Sequence, residues 1–209
     1  MTRDPLDAVG ATAREAETRE HHGRTARVVT VTRTYPSGPA DVWSAMTTAE
    51  RIPRWFLPVT GDLEVGGHYQ LEGNAGGVVE SCDPPHSFSV TWEFGGDVSW
   101  VEVARAPAYG GTELVLRHVA HVDDERWAEF GPGAVGVGWD LGLRGLLLHL
   151  ESGGPVDPAG FAAWTVSEDG RAYVTGASEA WGDASVAAGE DGAAARSAAA
   201  RTTAFYTGT

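Results

Sequence analysis

Two side chains in this sequence combine proton-transfer chemistry with a position that could set it in apolar surroundings: Glu80 and His118. Strict alternation along Val78, Glu80 and Cys82 puts Glu80 on the side of its apolar neighbours. A carboxylate facing an apolar interior has a raised pKa and can act as a general base or a ligand anchor. A bulge in the same run would turn it to solvent instead. His118 ends an alternating run with Leu114 and Leu116, so a strand there aims it inward, either as a proton-transfer group or as a satisfied core or rim histidine.

Other constellations carry less chemistry. His118, His121 and Asp123 are close in sequence, but His121 lies past the strand end and no cysteine or second histidine cluster completes a ligand set, so no metal is expected. Cys82 precedes Asp83-Pro84-Pro85 with His86 across the turn, and nothing in the sequence places that imidazole to activate the thiol. Gly131 to Gly136 fits G-x-G-x-x-G. A dinucleotide site needs a strand before that loop, whereas Asp124 to Phe130 has helix composition, so the glycines read as a hinge before a helix and no cofactor is expected. All 15 basic residues are arginine. Without lysine, Schiff-base chemistry and a Walker-type phosphate loop are closed.

The formal charge of −14 and the scattered arginines make nucleic acid and anionic membrane poor partners. The longest apolar stretch, Leu141 to Leu150, is short and interrupted by Arg144, so no membrane span is expected. A single cysteine fits a reducing compartment, and the chain reads as cytoplasmic.

The elements that must position these residues follow from period and turn chemistry. Residues 1–26 form a polar extension with a short extra strand. From Arg27, Val28 to Arg33 is a β-branched strand. Pro39 opens a short helix to Met46, and Thr47 with Glu50 has capping-box spacing for a second. Turn signals at 65–67, 73–77, 83–85, 95–97 and 108–111 then separate short alternating runs, an antiparallel meander. Asp123 and Asp124 open a helix holding Trp127 and Phe130. Gly138 to Glu151 is the strongest helix, with Trp139, Leu143, Leu146, Leu147 and Leu150 on one face. Its stripe Gly138, Gly142, Gly145 admits a close backbone. Ser167 and Asp191 are N-caps for tail helices near 168–188 and 191–207.

The order strand, two short helices, meander, long helix resembles the START/Bet v 1-like superfamily. Arg33-Thr34-Tyr35, Val42 to Thr47, Glu50 to Phe56, Gly61 to Gly67, Cys82 to Pro85, Val90 to Glu93 and Gly136 to Leu141 are similar to the branch named after activators of heat-shock-protein-90 ATPase. The tail, with Glu179 to Gly182 and Ala204 to Tyr206, resembles an extension of actinobacterial-type members. The resemblance implies an α+β helix-grip fold: a curved antiparallel sheet wrapped round a long C-terminal helix, with extra C-terminal helices. The expected segments are an extension (1–26), the helix-grip domain (27–153) and a helical tail (154–209).

A cavity between sheet and long helix is the implied site. Trp55, Trp92, Leu116, Trp127, Phe130, Trp139 and Leu143 are its expected lining, though aromatics at these periods also serve simply as core. The expectation is an apolar or aromatic small molecule bound without catalysis. The alternatives are a polyketide cyclase or aromatase-like enzyme using Glu80 or His118, and a co-chaperone-like interaction module. The tail helices either cover the central helix or form a homodimer contact.

Overall fold

The computed structural model describes residues 5–208; residues 1–4 of the expected extension lie outside them. In order, the elements are α1 (Pro5–Gly10), β1 (Thr12–His21), β2 (Arg24–Tyr35), α2 (Pro39–Thr47), a 3-10 turn (Ile52–Arg54), β3 (Val59–Gly61), β4 (His68–Leu71), β5 (Gly76–Asp83), β6 (Ser87–Phe94), β7 (Asp97–Ala108), β8 (Gly111–Ala120), α3 (Asp124–Phe130), α4 (Gly133–Ser152), α5 (Pro158–Thr165), α6 (Glu168–Ala187) and α7 (Gly192–Thr207). The strands form one open sheet in the order β1-β2-β8-β7-β6-β5-β4-β3. This is the α+β helix-grip class expected, with α4 as its long helix and β1 as the extra strand. Among the described residues no helix is long and apolar enough to cross a membrane.

The chain divides into two compact units. One holds Met1–Val31, Val122–Leu141 and Asp157–Thr209; the other holds Thr32–His121 and Gly142–Val156. β2 and α4 contribute residues to both.

In the second unit β3 to β8 form the antiparallel meander. Phe94 pairs with Asp97 across Gly95-Gly96, whose positive φ values of 63° and 91° make the tight turn that matches strand twist. Ala108 pairs with Gly111 across Tyr109-Gly110. α2 opens on Pro39 and packs on β7 and β8, with Trp43 edge-on to Phe88 at 6.1 Å. The expected capping box does not form. Thr47 is the last residue of α2, its hydroxyl bonds back to Trp43 O, and the following segment tightens into the 3-10 turn.

The second half of α4 is locked in this unit by its partners. Tyr35 Oη donates to Leu143 O at 3.2 Å, and Gly145 lies under the Trp55 carbonyl, the close backbone approach its lack of a side chain was expected to admit. Arg51 donates to Asp41 Oδ1 at 2.6 Å and to His149 Nε2 at 3.0 Å, while His149 Nδ1 is 2.7 Å from Gly154 O. Since guanidinium only donates and carbonyl only accepts, His149 carries its proton on Nδ1. Leu143 and Leu146, both buried, each contribute about 1.5–3 kcal/mol through the apolar area removed from water.

The first unit is helical apart from β1 and its share of β2. Three of its caps are those read from sequence: Asp123 accepts from Arg126 N, Ser167 from Gly170 N, and Asp191 from Ala193 N and Ala194 N. The buried small residues Ala195, Ala198 and Ala199 line α7, and Gly182 of α6 lies against Ala199. Arg201 of α7 donates to the carbonyls of Ala128 and Glu129 at the open end of α3, satisfying groups with no partner inside the helix. Helix α5 was not anticipated, although Asp157 as N-cap and Pro158 after it are its signals. α4 begins at Gly133 rather than Gly138.

Trp181 packs on this added first turn. Its fully buried indole occupies the space over Gly136, where any Cβ would overlap it, so glycine is the residue that lets helix and indole meet. Trp181 Nε1 donates to Asp140 Oδ2 at 2.9 Å. Arg14 of β1 grips the same carboxylate with two donors, at 2.9 and 3.1 Å, and Tyr173 Oη donates to Asp140 O at 3.2 Å. The ion pair is sealed, with side-chain exposures of 4% for Arg14 and 0% for Asp140.

Asp140→Ala strands a buried guanidinium, and urea denaturation is expected to show a loss of about 3–5 kcal/mol. Gly136→Ala, which forces Trp181 from its seat, is expected to lower stability while leaving the far-UV helix signal in place.

Candidate functional site

The hairpin registers build one continuous face in the second unit. Val79 pairs with Val90, Val90 with Val101, and Val101 with His118, a row across β5, β6, β7 and β8. Phe88, Val103 and Leu116 form the next row, and Trp92 pairs with Ser99. Directly paired residues share a face, so His118 stands among valines, Leu116 and Trp92. Val79, Val101, Val103 and Leu116 are buried, whereas Phe88, Val90 and Trp92 of β6 remain half-buried.

The polar feature of this face is a histidine–serine pair. His118 Nε2 lies 2.8 Å from Ser99 Oγ, which lies 3.0 Å from Trp92 O. A carbonyl cannot donate, so the hydroxyl proton goes to Trp92 O and Ser99 Oγ accepts from His118 Nε2–H. The Trp92 and His118 rings meet edge-on at 6.2 Å. Burial lowers the His118 pKa to about 4, because the charged imidazolium would lose its water. The ring is therefore neutral at pH 7 and a weak base there, short of the near-neutral pKa that suits general acid–base catalysis.

Sequence reasoning placed His118 inward and missed Ser99. The signal was available, since counting outward from Gly95-Gly96 sets Ser99 opposite Trp92, and counting from Tyr109-Gly110 sets it one diagonal step from His118.

Of the two alternatives for Glu80, the structure has the bulge. The register shifts between Val79 and Ser81, making Glu80 the extra residue of a β-bulge, and its side chain is exposed. Glu80 therefore lacks the apolar surround that a base or ligand anchor inside a cavity would have. Cys82 pairs with Phe88 at the end of the sheet and is exposed.

Trp55, Trp92, Leu116 and Leu143 of the expected lining lie in the second unit, and Trp127, Phe130 and Trp139 in the first. Trp55 donates Nε1–H to Ala45 O at 2.9 Å and stacks on Phe56. Trp127 lies under the Arg27 guanidinium at 5.0 Å and donates to Glu190, while Phe130 meets Phe205 at 6.0 Å. Trp139 is buried. Among the described residues no group of three His, Cys, Asp or Glu side chains is placed to hold a metal; His118 turns to Ser99 and His121 to Trp100.

Residues 37–151 match the family described as Activator of Hsp90 ATPase homolog 1-like protein. The chain belongs to this family. Its segment of the Activator of Hsp90 ATPase homolog 1-like family contains Trp92, Ser99, His118 and Asp140, while Arg14, Tyr173 and Trp181 lie outside it. The crystal structure of CalU16 from Micromonospora echinospora is 30% identical, covers 80% of this chain and 98% of its own, and superposes with a TM-score of 0.59. In its solution NMR structure the same protein covers 85% and 97%, at 30% identity and a TM-score of 0.69. MLL2253 from Mesorhizobium loti, 23% identical over 60% of this chain and 98% of its own, shares the fold at a TM-score of 0.54. No curated protein matches the sequence. The family lies in the START/Bet v 1-like superfamily that the motifs implied.

The depressed pKa of His118 sets a pH dependence. An unfolded histidine takes up a proton near pH 6.5 and the folded one near pH 4, so the contribution is full above 6.5 and is lost as pH falls towards 4. Between pH 7.5 and 5.0 wild type should lose about 2 kcal/mol more stability than His118→Phe in urea titrations, from the 1.36 kcal/mol carried by each pKa unit. Equal losses in the two proteins would mean that His118 is not held neutral.

Proposed function

We propose that this protein binds an apolar or aromatic small molecule against the face built by β6, β7 and β8, and that it does so without chemical conversion. The observation that carries the reading is the neutral His118–Ser99 pair, set in an otherwise apolar face beside Trp92. Such a face shelters an apolar ligand, and a few placed polar groups orient it. Half-buried Phe88, Val90 and Trp92 supply unspent apolar area, and Trp55, Leu116 and Leu143 are the remaining proposed wall. The weak basicity of His118 and the exposure of Glu80 both weigh against a cyclase-like proton transfer. A chain with one cysteine suits a reducing, cytoplasmic setting.

A second reading has its own observation. Phe205 of α7 is 70% exposed and edges both Phe130 and Tyr206, an apolar cluster that supports self-association through the C-terminal helices.

Native mass spectrometry of the purified full chain, followed by denaturing release, is expected to show one apolar compound per chain and to report monomer or dimer. Saturable binding of the fluorescent apolar probe anilinonaphthalene sulfonate should accompany it and weaken about tenfold on Val101→Asp, since a carboxylate in that row opposes desolvation. A chain that carries nothing and binds the probe without saturation would overturn the reading.

A further inference from the structure

A second candidate site lies away from the His118 face. Thr60 pairs with Gln70, Gln70 with Gly76 and Gly76 with Glu93, so four side-chain positions on β3, β4, β5 and β6 form one row on one face. His68, two residues before Gln70, shares that face. With Tyr69 these residues line an open cleft of about 410 Å³, within the range of small-ligand sites, roughly 300–1,000 Å³.

The middle of the row is Gly76, which has no side chain of its own, and Gln70 Oε1 and the Tyr69 carbonyl lie in the space that a Cβ there would need. Gln70 and Glu93 flank it two strands apart, about 10 Å from backbone to backbone. Gln70 Nε2 donates to Leu71 O at 2.7 Å and Asn74 O at 2.9 Å, which settles the orientation of the amide. Its Oε1 is therefore turned over Gly76, where a Cβ would sit 2.6 Å from it. Glu93 is anchored on the other side by Thr91 Oγ1, which donates to Oε1 at 3.1 Å. Tyr69 gives its proton to Thr91 O at 2.7 Å, and burial together with the Glu93 charge holds the phenol well above its ordinary pKa. The walls thus offer a carboxylate and a carbonyl oxygen as acceptors, with no arginine among the lining residues.

We propose that this cleft binds a small molecule carrying a protonated amine or guanidinium, held by Gln70 Oε1 and the Glu93 carboxylate that line it. Such a group supplies several donors in a compact head and matches a pair of acceptors that line one cleft. The net charge of −14 raises the local concentration of cationic ligands and favours the same class.

The test is an amide-resolved NMR titration of the full chain with agmatine, which has an amine at one end and a guanidinium at the other, and with n-butanol as the neutral control. Saturable shifts centred on Gly76, Gly77 and Gln70 are expected with agmatine alone. Glu93→Gln, at an exposed position that leaves the fold intact, should weaken them about tenfold, as loss of a charge-assisted hydrogen bond does. Shifts that spread over other acidic surface without saturating, or that persist unchanged in E93Q, would reduce the effect to counterion association and overturn the site. An equal response to n-butanol would overturn the cationic ligand class.

Discussion

A carboxylate sealed from water is tolerable only when its charge and its lone pairs are met, and Asp140 imposes that demand on the first unit. It sits on α4 with its side chain wholly buried. Its partners come from β1 and α6, more than a hundred residues apart in the chain: Arg14 as counter-ion and Trp181 as donor. Neither lies in the segment matched by the family, residues 37–151. The N-terminal strand and the helical tail are therefore required by a residue inside that segment rather than appended to it. Gly136 belongs to the same arrangement, since the indole reaches Asp140 only across a helix surface with no side chain there.

Desolvation has the opposite consequence at His118. At Asp140 a guanidinium is built in beside the carboxylate to meet its charge. His118 has Ser99 and an aromatic edge, neither of which offsets a positive charge, so burial resolves the cost by keeping the ring neutral. The two residues lie in different units. A paired charge ties distant elements together, whereas a neutral imidazole on an apolar face needs no counter-ion. His149 shows a third solution, an uncharged ring used as a connector between Arg51 and the Gly154 carbonyl that follows the helix.

The polar cleft over Gly76 and the apolar face around His118 belong to the same sheet and differ in what the strands leave out. At Gly76 a missing side chain lets the Gln70 amide fold over the strand and turn its oxygen into the cleft. On β6 the half-buried Phe88, Val90 and Trp92 leave apolar area uncovered. Both follow from register. The two-residue turns count residues into rows, and the bulge at Glu80 is the one place where the count changes on β5.

Local chemistry made much of this protein legible from sequence. Turn residues marked the hairpins, alternation marked β6 and β8, and Ser167, Asp191 and Asp123 marked helix starts because a cap needs only its own neighbours. The motifs led to the family and its fold class. Tertiary structure decided the rest, wherever the outcome depended on a partner distant in the chain. α4 starts at Gly133, and Thr202 and Trp181 pack on its glycines, which propensity alone reads as a break. Glu80 faces solvent because a bulge interrupts an alternation that looks regular in one dimension. Ser99 became the partner of His118 only when two turns had set it there. Asp140, unremarkable in a helical motif, acquired its role only when β1 and α6 closed over it, since burial and the pairing it demands are properties of the folded chain.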